Sequence, residues 1–133
     1  MDLKKKSISQ LKKQADDLVS QFVRRSTADW KGYNSCFTCG ITKHYKELQC
    51  GHYVSRTYNN LRWSLLNLRP QCYSCNVMKR GNMDEFAVRL EKETPGILKQ
   101  LNMYKHMPSG SIKRLELIKL IEEFKEKLRA VEN

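Results

Sequence analysis

Four cysteines in two C-x2-C pairs are the residues of this sequence whose types and spacing indicate chemistry most directly. The pairs are Cys36 with Cys39 and Cys72 with Cys75. Four thiolates match the tetrahedral coordination of a structural Zn²⁺ ion, and a redox C-x-x-C would not be expected twice in one small chain. The stretch between Cys39 and Cys72 is longer than in a simple zinc ribbon. The pattern therefore predicts a structural zinc site with further structure between its two halves.

A histidine inside that stretch is the candidate for acid–base chemistry. His52 follows Gly51, and a histidine can take a proton from water near neutral pH. Phosphodiester hydrolysis also needs a cation at the leaving oxygen and positive groups beside the nonbridging oxygens. Asn76 could hold Mg²⁺ or Mn²⁺ together with His52, and Arg56 could contact the phosphate. The alternative for His52 is a hydrogen-bonded polar side chain without a catalytic role.

The basic charge of the chain is concentrated around these residues. The formal net charge is +11. Residues 36–80 contain seven Lys or Arg and one acid, Glu47, whereas residues 81–133 are nearly balanced. Solubility does not require acids to be missing from one segment, so we expect a polyanionic partner, DNA. The residues predicted to contact its phosphates are Arg56, Arg62, Arg69, Lys79 and Arg80. The alternative is an ordinary solvated rim.

Four further side chains of the same segment each allow two interpretations. Tyr53, Tyr58 and Trp63 could stack on unpaired bases, although aromatic residues on short strands usually belong to the core. Cys50 is interpreted as a small residue on a strand, with metal contact as the alternative.

Length and composition limit the class of protein. At 133 residues the chain is expected to form one compact domain. It contains no run of about 18 apolar residues, so no transmembrane helix is predicted. Five cysteines, an odd number, in a chain whose basic N-terminus lacks a following apolar segment indicate metal binding in a reducing compartment. The expected location is the cytoplasm.

Hydrophobic spacing predicts the elements that must position the candidate residues. Residues 1–35 are predicted to form a basic amphipathic helix over 3–26 and a linker, with a packing role and a basic end available for phosphates. Residues 36–81 form the predicted core. It contains strands at 48–54 and 62–66, followed by a short helix that begins at the second cysteine pair.

The remaining residues, 82–133, are predicted to be helical. Asn82 and Glu85 resemble a capping box. Whether Asn82, Asp84 or Glu85 adds a metal ligand is open, with capping preferred. The last helix has apolar residues at alternating steps of four and three, as in a coiled-coil seam. Packing of this seam against the N-terminal helix is preferred over a dimeric coiled coil.

The motifs together resemble a known family. Cys-x2-Cys, Gly-His, Asn-Leu and Cys-x2-Cys-Asn look like the core of an HNH, or His-Me finger, endonuclease. The likeness is closer to the NinG/Rap recombination proteins of lambdoid phages, and it covers nearly the whole chain. The stretches that carry it are Gly51-His52-Tyr53-Val54-Ser55-Arg56, Asn67, Gln71-Cys72, Cys75-Asn76, Gly81-Asn82, Glu85-Phe86-Ala87, Arg89-Leu90 and Gly96-Ile97-Leu98.

The resemblance implies an α+β fold, with a zinc-stapled ββα-metal core of treble-clef type between N- and C-terminal helices. It implies that His52 is the general base, that Asn67 orients the hairpin and that Asn76 is a metal ligand. Two positions depart from the broad HNH pattern. Gly51 stands where many members have an acidic ligand, and Asn76 stands where many have a third histidine. We therefore expect a hard ion, Mg²⁺ or Mn²⁺, rather than a second Zn²⁺.

The function that this resemblance implies is cleavage of branched DNA, such as Holliday junctions and D-loops, in the cytoplasm of the host cell if the chain is phage-encoded. Symmetric cutting of a junction would require two active sites and hence a homodimer. The alternative is a treble-clef zinc module that binds nucleic acid without cutting it. A third interpretation, an interaction scaffold formed by the two seam helices, does not explain the missing acids of residues 36–80.

Overall fold

The computed structural model describes residues 2–132 and shows an α+β architecture that begins with a long amphipathic helix. Helix α1 spans Ile8–Arg25. It begins at a capping box in which the Ser7 hydroxyl accepts from the Gln10 N–H and the Gln10 side chain accepts from the Ser7 N–H. The helix starts later than predicted, because Leu3–Lys5 forms a separate 3-10 turn.

A small hairpin after α1 carries the first cysteine pair. Strand β1 (Tyr33–Ser35) pairs antiparallel with β2 (Thr42–His44). In the connection the Gly40 N–H donates to the Cys36 carbonyl, and the Cys36 N–H donates to the Ile41 carbonyl. Gly40 has a φ of 81°, in the left-handed region that favours glycine. This tight turn is what allows Cys39 and Cys36 to face the same point.

A second hairpin and a short helix form the centre of the molecule. Strand β3 (Leu48–His52) pairs antiparallel with β4 (Leu68–Cys72), so that His52 lies opposite Leu68. The short helix Ser74–Met78 follows β4 directly, and a π-type bond from the Lys79 N–H to the Ser74 carbonyl closes it. The order of elements is strand, strand, helix.

The prediction of a strand at 62–66 is wrong. Helix α2 (Asn59–Arg62) ends where that strand was expected to begin, and Leu65–Asn67 forms a 3-10 turn. The true strand, β4, contains Pro70, which cannot donate to a ladder and therefore argues against a strand in the sequence. Pro70 is tolerated because β4 pairs with β3 alone in a two-stranded sheet.

Two helices pack against the connection between β3 and β4. Helix α3 spans Met83–Glu93 and α4 spans Ile97–His106. They enclose a core cluster composed of Val54, Leu61, Phe86, Leu90, Ile97 and Leu101. The predicted capping box is wrong. Asn82 adopts a left-handed φ of 49° and makes no cap bond, while Glu85 accepts a bond of 2.7 Å from Arg89.

The last helix, α5 (Arg114–Glu132), packs along α1. Phe22 and Phe124 meet edge to face with ring centroids 5.7 Å apart. The shared core comprises Leu11, Ala15, Val19, Val23, Trp63, Leu68, Leu117, Ile121 and Phe124. The predicted packing between the two seam helices is confirmed. Among the helices of residues 2–132, none has the length and apolar character needed to cross a membrane.

Candidate active site

The four predicted zinc ligands come together from two distant segments. Their sulfur atoms all lie within 4.8 Å of one another, and the sulfurs of Cys39 and Cys72 are 3.7 Å apart. Tetrahedral zinc with Zn–S bonds of about 2.3 Å requires sulfur separations of about 3.8 Å. The arrangement therefore has the chemistry and dimensions for a structural Zn²⁺ ion.

Polar groups next to the sulfurs support the thiolate form. The Thr38 hydroxyl lies 3.4 Å from Cys36 Sγ, and the Cys75 N–H donates to Cys72 Sγ at 3.4 Å. The Asn82 amide donates to Cys75 Sγ at 3.6 Å. Donors of this kind orient metal ligands and stabilise their charge. Asn82 thus belongs to the surroundings of the zinc cluster.

His52 ends strand β3, and a hydrogen bond to the backbone of Arg62 orients its ring. Nε2 lies 3.0 Å from the carbonyl oxygen of Arg62. A carbonyl only accepts, so Nε2 carries the proton and Nδ1 keeps its lone pair. Burial lowers the pKa of His52 below its ordinary value, and the Arg62 carbonyl and the Asp16 carboxylate oppose that shift. The ring is therefore a neutral base near pH 7.

A cleft of about 320 Å³ brings the catalytic candidates together. Its walls are α1 on one side and β3 with the short helix on the other. His52, Asn76, Arg56 and Arg62 all line it. His52 ends β3, Asn76 lies on the short helix, Arg56 lies in the loop after β3, and Arg62 ends α2. These residues lie in separate segments, and the fold brings them to one cleft.

Asn76 of the short helix lines this cleft. Its Nδ2 donates to Gln49 Oε1 at 2.7 Å, and Gln49 is another lining residue. Within residues 2–132, the Asn76 Oδ1 atom accepts no hydrogen bond. An amide oxygen in this state suits a hard cation such as Mg²⁺.

Asp16 of α1 is a site residue that sequence reasoning missed. Its carboxylate accepts from Arg62 at 2.6 and 3.0 Å, from Arg56 at 3.3 Å and from the Trp63 indole N–H at 2.8 Å. Besides the packing predicted for it, α1 contributes two acids to the wall of the cleft, because Asp16 and Asp17 both line it. The available signal was that these two residues are the sole acids in an otherwise basic helix.

Asn67 lies outside the cleft and ties together the long connection between β3 and β4. It is fully buried. Its Oδ1 accepts from the Val54 N–H at 2.7 Å, and its Nδ2 donates to the carbonyls of Val54 and Leu61. These bonds hold the loop that carries Arg56 and α2 in place, so Asn67 acts on the site through backbone position.

The other predicted DNA contacts are distributed around the molecule. Arg69 pairs with Glu93 at 2.7 Å and donates to the carbonyls of Leu65 and Leu68, so most of its donors are already bonded. Lys79 and Arg80 are exposed after the short helix and do not line the cleft. Of the five basic residues predicted to contact DNA, Arg56 and Arg62 line the same cleft as His52.

The aromatic residues singled out in the sequence have different surroundings. Trp63 is 7 % exposed and belongs to the core shared by α1 and α5. Tyr53 packs edge to face on Phe86 at 5.5 Å. Tyr58 is more exposed, with Lys105 Nζ 5.0 Å from its ring centroid. Stacking on bases by Trp63 is therefore wrong, because its ring is enclosed.

The side chain of Gln71 fills the space beside Gly51, the position before His52 where the broad HNH pattern has an acid. Gln71 is fully buried, and its Nε2 donates to Thr38 and to the Gly81 carbonyl. A Cβ added at Gly51 would overlap the Gln71 side-chain amide. Any larger residue at Gly51 would require Gln71 to leave its place, so an acidic ligand cannot occupy this position without rearrangement.

Cys50 stays apart from the zinc cluster. It is half-buried on β3, packs against the core shared by α1 and α5, and lines the cleft. Burial raises the pKa of its thiol to about 12. A neutral thiol is a poor metal ligand and a poor nucleophile, which agrees with its interpretation as a small strand residue.

Comparison with known protein families finds a match over nearly the whole chain. No curated protein and no solved structure matches the sequence. Residues 2–133 match a family described as the bacteriophage lambda NinG protein. The match includes the cluster of four cysteines, the residues of the cleft and the helices from α1 to α5, and on this basis the chain belongs to the NinG family of phage proteins.

Proposed function

We propose that this protein is a Mg²⁺- or Mn²⁺-dependent DNA endonuclease of the HNH type. The observation that carries the proposal is the tautomer of His52 and its position in the cleft. His52 is a neutral imidazole with a defined tautomer, and it lies in one cleft with Asn76 and Arg56. The strand–strand–helix order of the central segment is the one expected of an HNH core. Branched recombination intermediates, such as Holliday junctions and D-loops, are proposed as substrates from the family resemblance.

Each residue of the cleft is proposed to have a separate role in phosphodiester hydrolysis. Nδ1 of His52 takes the proton of the attacking water, and burial keeps this nitrogen unprotonated at neutral pH. Arg56 is proposed to donate hydrogen bonds to the nonbridging phosphate oxygens. Its side chain is 62 % exposed, so it can exchange its bond to Asp16 for one to a phosphate. Cleavage on this scheme leaves a 5′-phosphate end.

A hard cation fits the donors of this cleft. Asn76 is the proposed ligand, through its Oδ1. His52, predicted from the sequence as a second ligand, keeps one lone pair, on Nδ1, and the base role uses it. Asp16 places a carboxylate in the same cleft, where its oxygens accept from Arg62, Arg56 and Trp63. It orients these side chains and is not assigned as a metal ligand. When bound, Mg²⁺ or Mn²⁺ would stabilise charge on the leaving oxygen.

Junction cleavage gives the proposal an oligomeric consequence. Two strands of a four-way junction are cut by two active sites, so a homodimer is part of the proposal. The apolar seams of α1 and α5 are buried against each other. A dimer formed through helical segments would therefore use other faces of these helices or α3 and α4.

A zinc module that binds nucleic acid without cutting it is the second candidate. It is favoured by the seven Lys or Arg and single acid of residues 36–80, which suit a polyanion whether or not it is cut. The pairing of Arg56 with Asp16 also leaves this arginine bound to an acid in the free protein. In this case the cysteines and basic residues would matter and His52 would not.

The test is cleavage of a synthetic four-way junction beside a linear duplex with the same sequences. Mg²⁺ is omitted in the control reaction instead of being chelated, because a chelator would also remove structural zinc. The variants are wild type, His52→Ala and His106→Ala, the last a histidine exposed on α4. Junction-selective cutting that requires Mg²⁺ and His52 but not His106 supports the proposal. Binding without cutting by all three proteins assigns the second candidate.

A further inference from the structure

The turn that follows α1 exposes a tryptophan. Trp30 is 89 % exposed, whereas the other tryptophan of the chain, Trp63, is 7 % exposed. An indole offers about 150–250 Å² of contact area, which usually lies in a core or an interface. Its exposure on a polar turn indicates a contact with something outside the chain.

The backbone around Trp30 is held rigidly. Asp29 Oδ1 accepts from the N–H groups of Lys31 and Tyr33, both at 2.9 Å. The Asp29 N–H donates to the Tyr33 carbonyl, and the Gly32 N–H donates to the Asp29 carbonyl. Gly32 has a φ of 89°, which another residue would rarely adopt. A ring presented on such a turn loses little conformational entropy when it binds.

A further bond ties this turn to the helix that forms one wall of the cleft. The Asn34 amide donates to the Arg24 carbonyl at 3.0 Å and to the Thr27 hydroxyl at 2.8 Å. The Arg24 guanidinium in turn lines the cleft and donates to the Tyr45 carbonyl at 3.0 Å. The turn and the cleft therefore share α1 as a common rigid support.

Three lysines and two acids, Asp29 and Glu47, lie in the turn of Trp30 and in the segment that pairs with it. Lys31 Nζ lies 4.9 Å from the centroid of the indole ring. Lys43 and Lys46 follow on β2 and the turn after it. The single carboxylate of the turn itself, that of Asp29, is used by backbone donors. An exposed aromatic ring beside a lysine has the composition of a surface that stacks a base and contacts its phosphate.

We propose that Trp30 and Lys31 form a stacking site for an unpaired nucleobase, separate from the cleft. A flat ring is sufficient for a base, whereas a stable protein interface buries about 1,200 Å² or more. The site selects nucleic acid with unpaired bases, because bases inside a duplex have no free face. This inference rests on the proposed function for the kind of polymer bound, and it does not depend on cutting.

The experiment measures binding, with zinc present and no Mg²⁺ added. The probes are a single-stranded oligonucleotide, a junction with unpaired nucleotides at its centre and a fully paired duplex. Trp30→Ala should weaken binding of the first two probes roughly fivefold to a hundredfold and change duplex binding by less than about twofold. Trp30→Phe should keep most of the affinity, since it keeps a ring. Leu115→Ala, a change at an exposed apolar residue of α5, is the matched control.

Fluorescence provides an independent readout, because Trp30 and Trp63 are the two tryptophans of the chain. Single-stranded DNA should quench wild-type emission, and Trp30→Phe should remove the quenching while binding persists. Equal affinities of wild type and Trp30→Ala for all three probes would overturn the inference. It would also fall if Trp30→Ala altered only self-association in sedimentation, because the ring would then be a protein contact. Stacking without cleavage would refute the nuclease proposal alone, and cleavage without a Trp30 effect would refute the stacking site alone.

Discussion

The carboxylate of Asp16 and the guanidinium of Arg62 form a two-point ion pair between α1 and α2. Oδ1 lies 3.0 Å from Nε and Oδ2 lies 2.6 Å from Nη2. The backbone carbonyl of the same Arg62 accepts from His52 Nε2. The position of the histidine ring therefore depends on an acid contributed by a distant helix.

Asp16→Asn should weaken both stability and cleavage. The substitution keeps the shape of the side chain but leaves the Arg62 guanidinium, 13 % exposed, without its counterion. We expect a loss of about 1–2 kcal/mol in the free energy of unfolding, less than for a fully buried pair. This corresponds to a fall in Tm of roughly 3–10 °C.

Asp17→Asn is the matched control, because Asp17 pairs with Lys13 in solvent. Its Tm should stay within about 2 °C of wild type. Calorimetry of both variants checks the prediction, and equal Tm values for the two would contradict it.

The cleavage rate should depend on pH through His52. Its lowered pKa means that the ring is unprotonated at neutral pH and becomes protonated only below its ordinary value of about 6.5. We expect a rate that is flat from about pH 7 to 8 and is lost as pH falls through the lowered pKa. Single-turnover rates measure this, with zinc content determined at each pH. An acidic limb centred above pH 7 would exclude His52 as the base described here.

Asn76→Ala should raise the Mg²⁺ concentration needed for half-maximal cutting by at least about tenfold, since it removes an oxygen ligand. Asn76→Asp should lower that concentration, because a carboxylate binds Mg²⁺ more strongly than an amide. A Mg²⁺ titration of the two variants decides this. Superimposable titration curves would remove Asn76 from the metal site.

Cys72→Ser should abolish zinc binding and the folded state together, because binding of structural zinc is coupled to folding. Cys50→Ser is the control, since Cys50 lies outside the cluster of four sulfurs. It should retain one zinc per chain and lose about 1 kcal/mol or less in stability. Metal analysis and circular dichroism provide the readouts. A zinc-free Cys72→Ser protein with normal melting would show that the cluster is not structural.

Gly51→Ala should destabilise the protein by about 1–3 kcal/mol, because the new Cβ overlaps the Gln71 amide. The cost should be largely removed in a Gln71→Ala background, where the space is free. A double-mutant cycle of unfolding free energies measures the coupling. Additive effects of the two substitutions would show that Gln71 does not restrict Gly51.

Local signals were sufficient for some elements and misleading for others. The amphipathic pattern of α1 and the seam of α5 predict two helices that must bury an apolar face, and they pack on each other. The alternation at 62–66 imitates a strand, yet this segment is helix α2 and an irregular connection. Tertiary contacts account for this difference. Hydrogen bonds of the buried Asn67 side chain hold the connection in its irregular form, and β3 pairs with residues 68–72 instead.

The sequence by itself determined the cluster of four cysteines, since two C-x2-C pairs are typical of the ligands of one ion, and it marked His52 as the candidate base. Tertiary structure alone decided which charged groups reach that histidine. Asp16 is 36 residues away from it in the chain, and Arg69 is nearer in sequence but is bonded to Glu93 elsewhere. The physical reason is that spacing along a chain specifies ligands of a local site. The cleft, in contrast, depends on how α1 packs against the central hairpin.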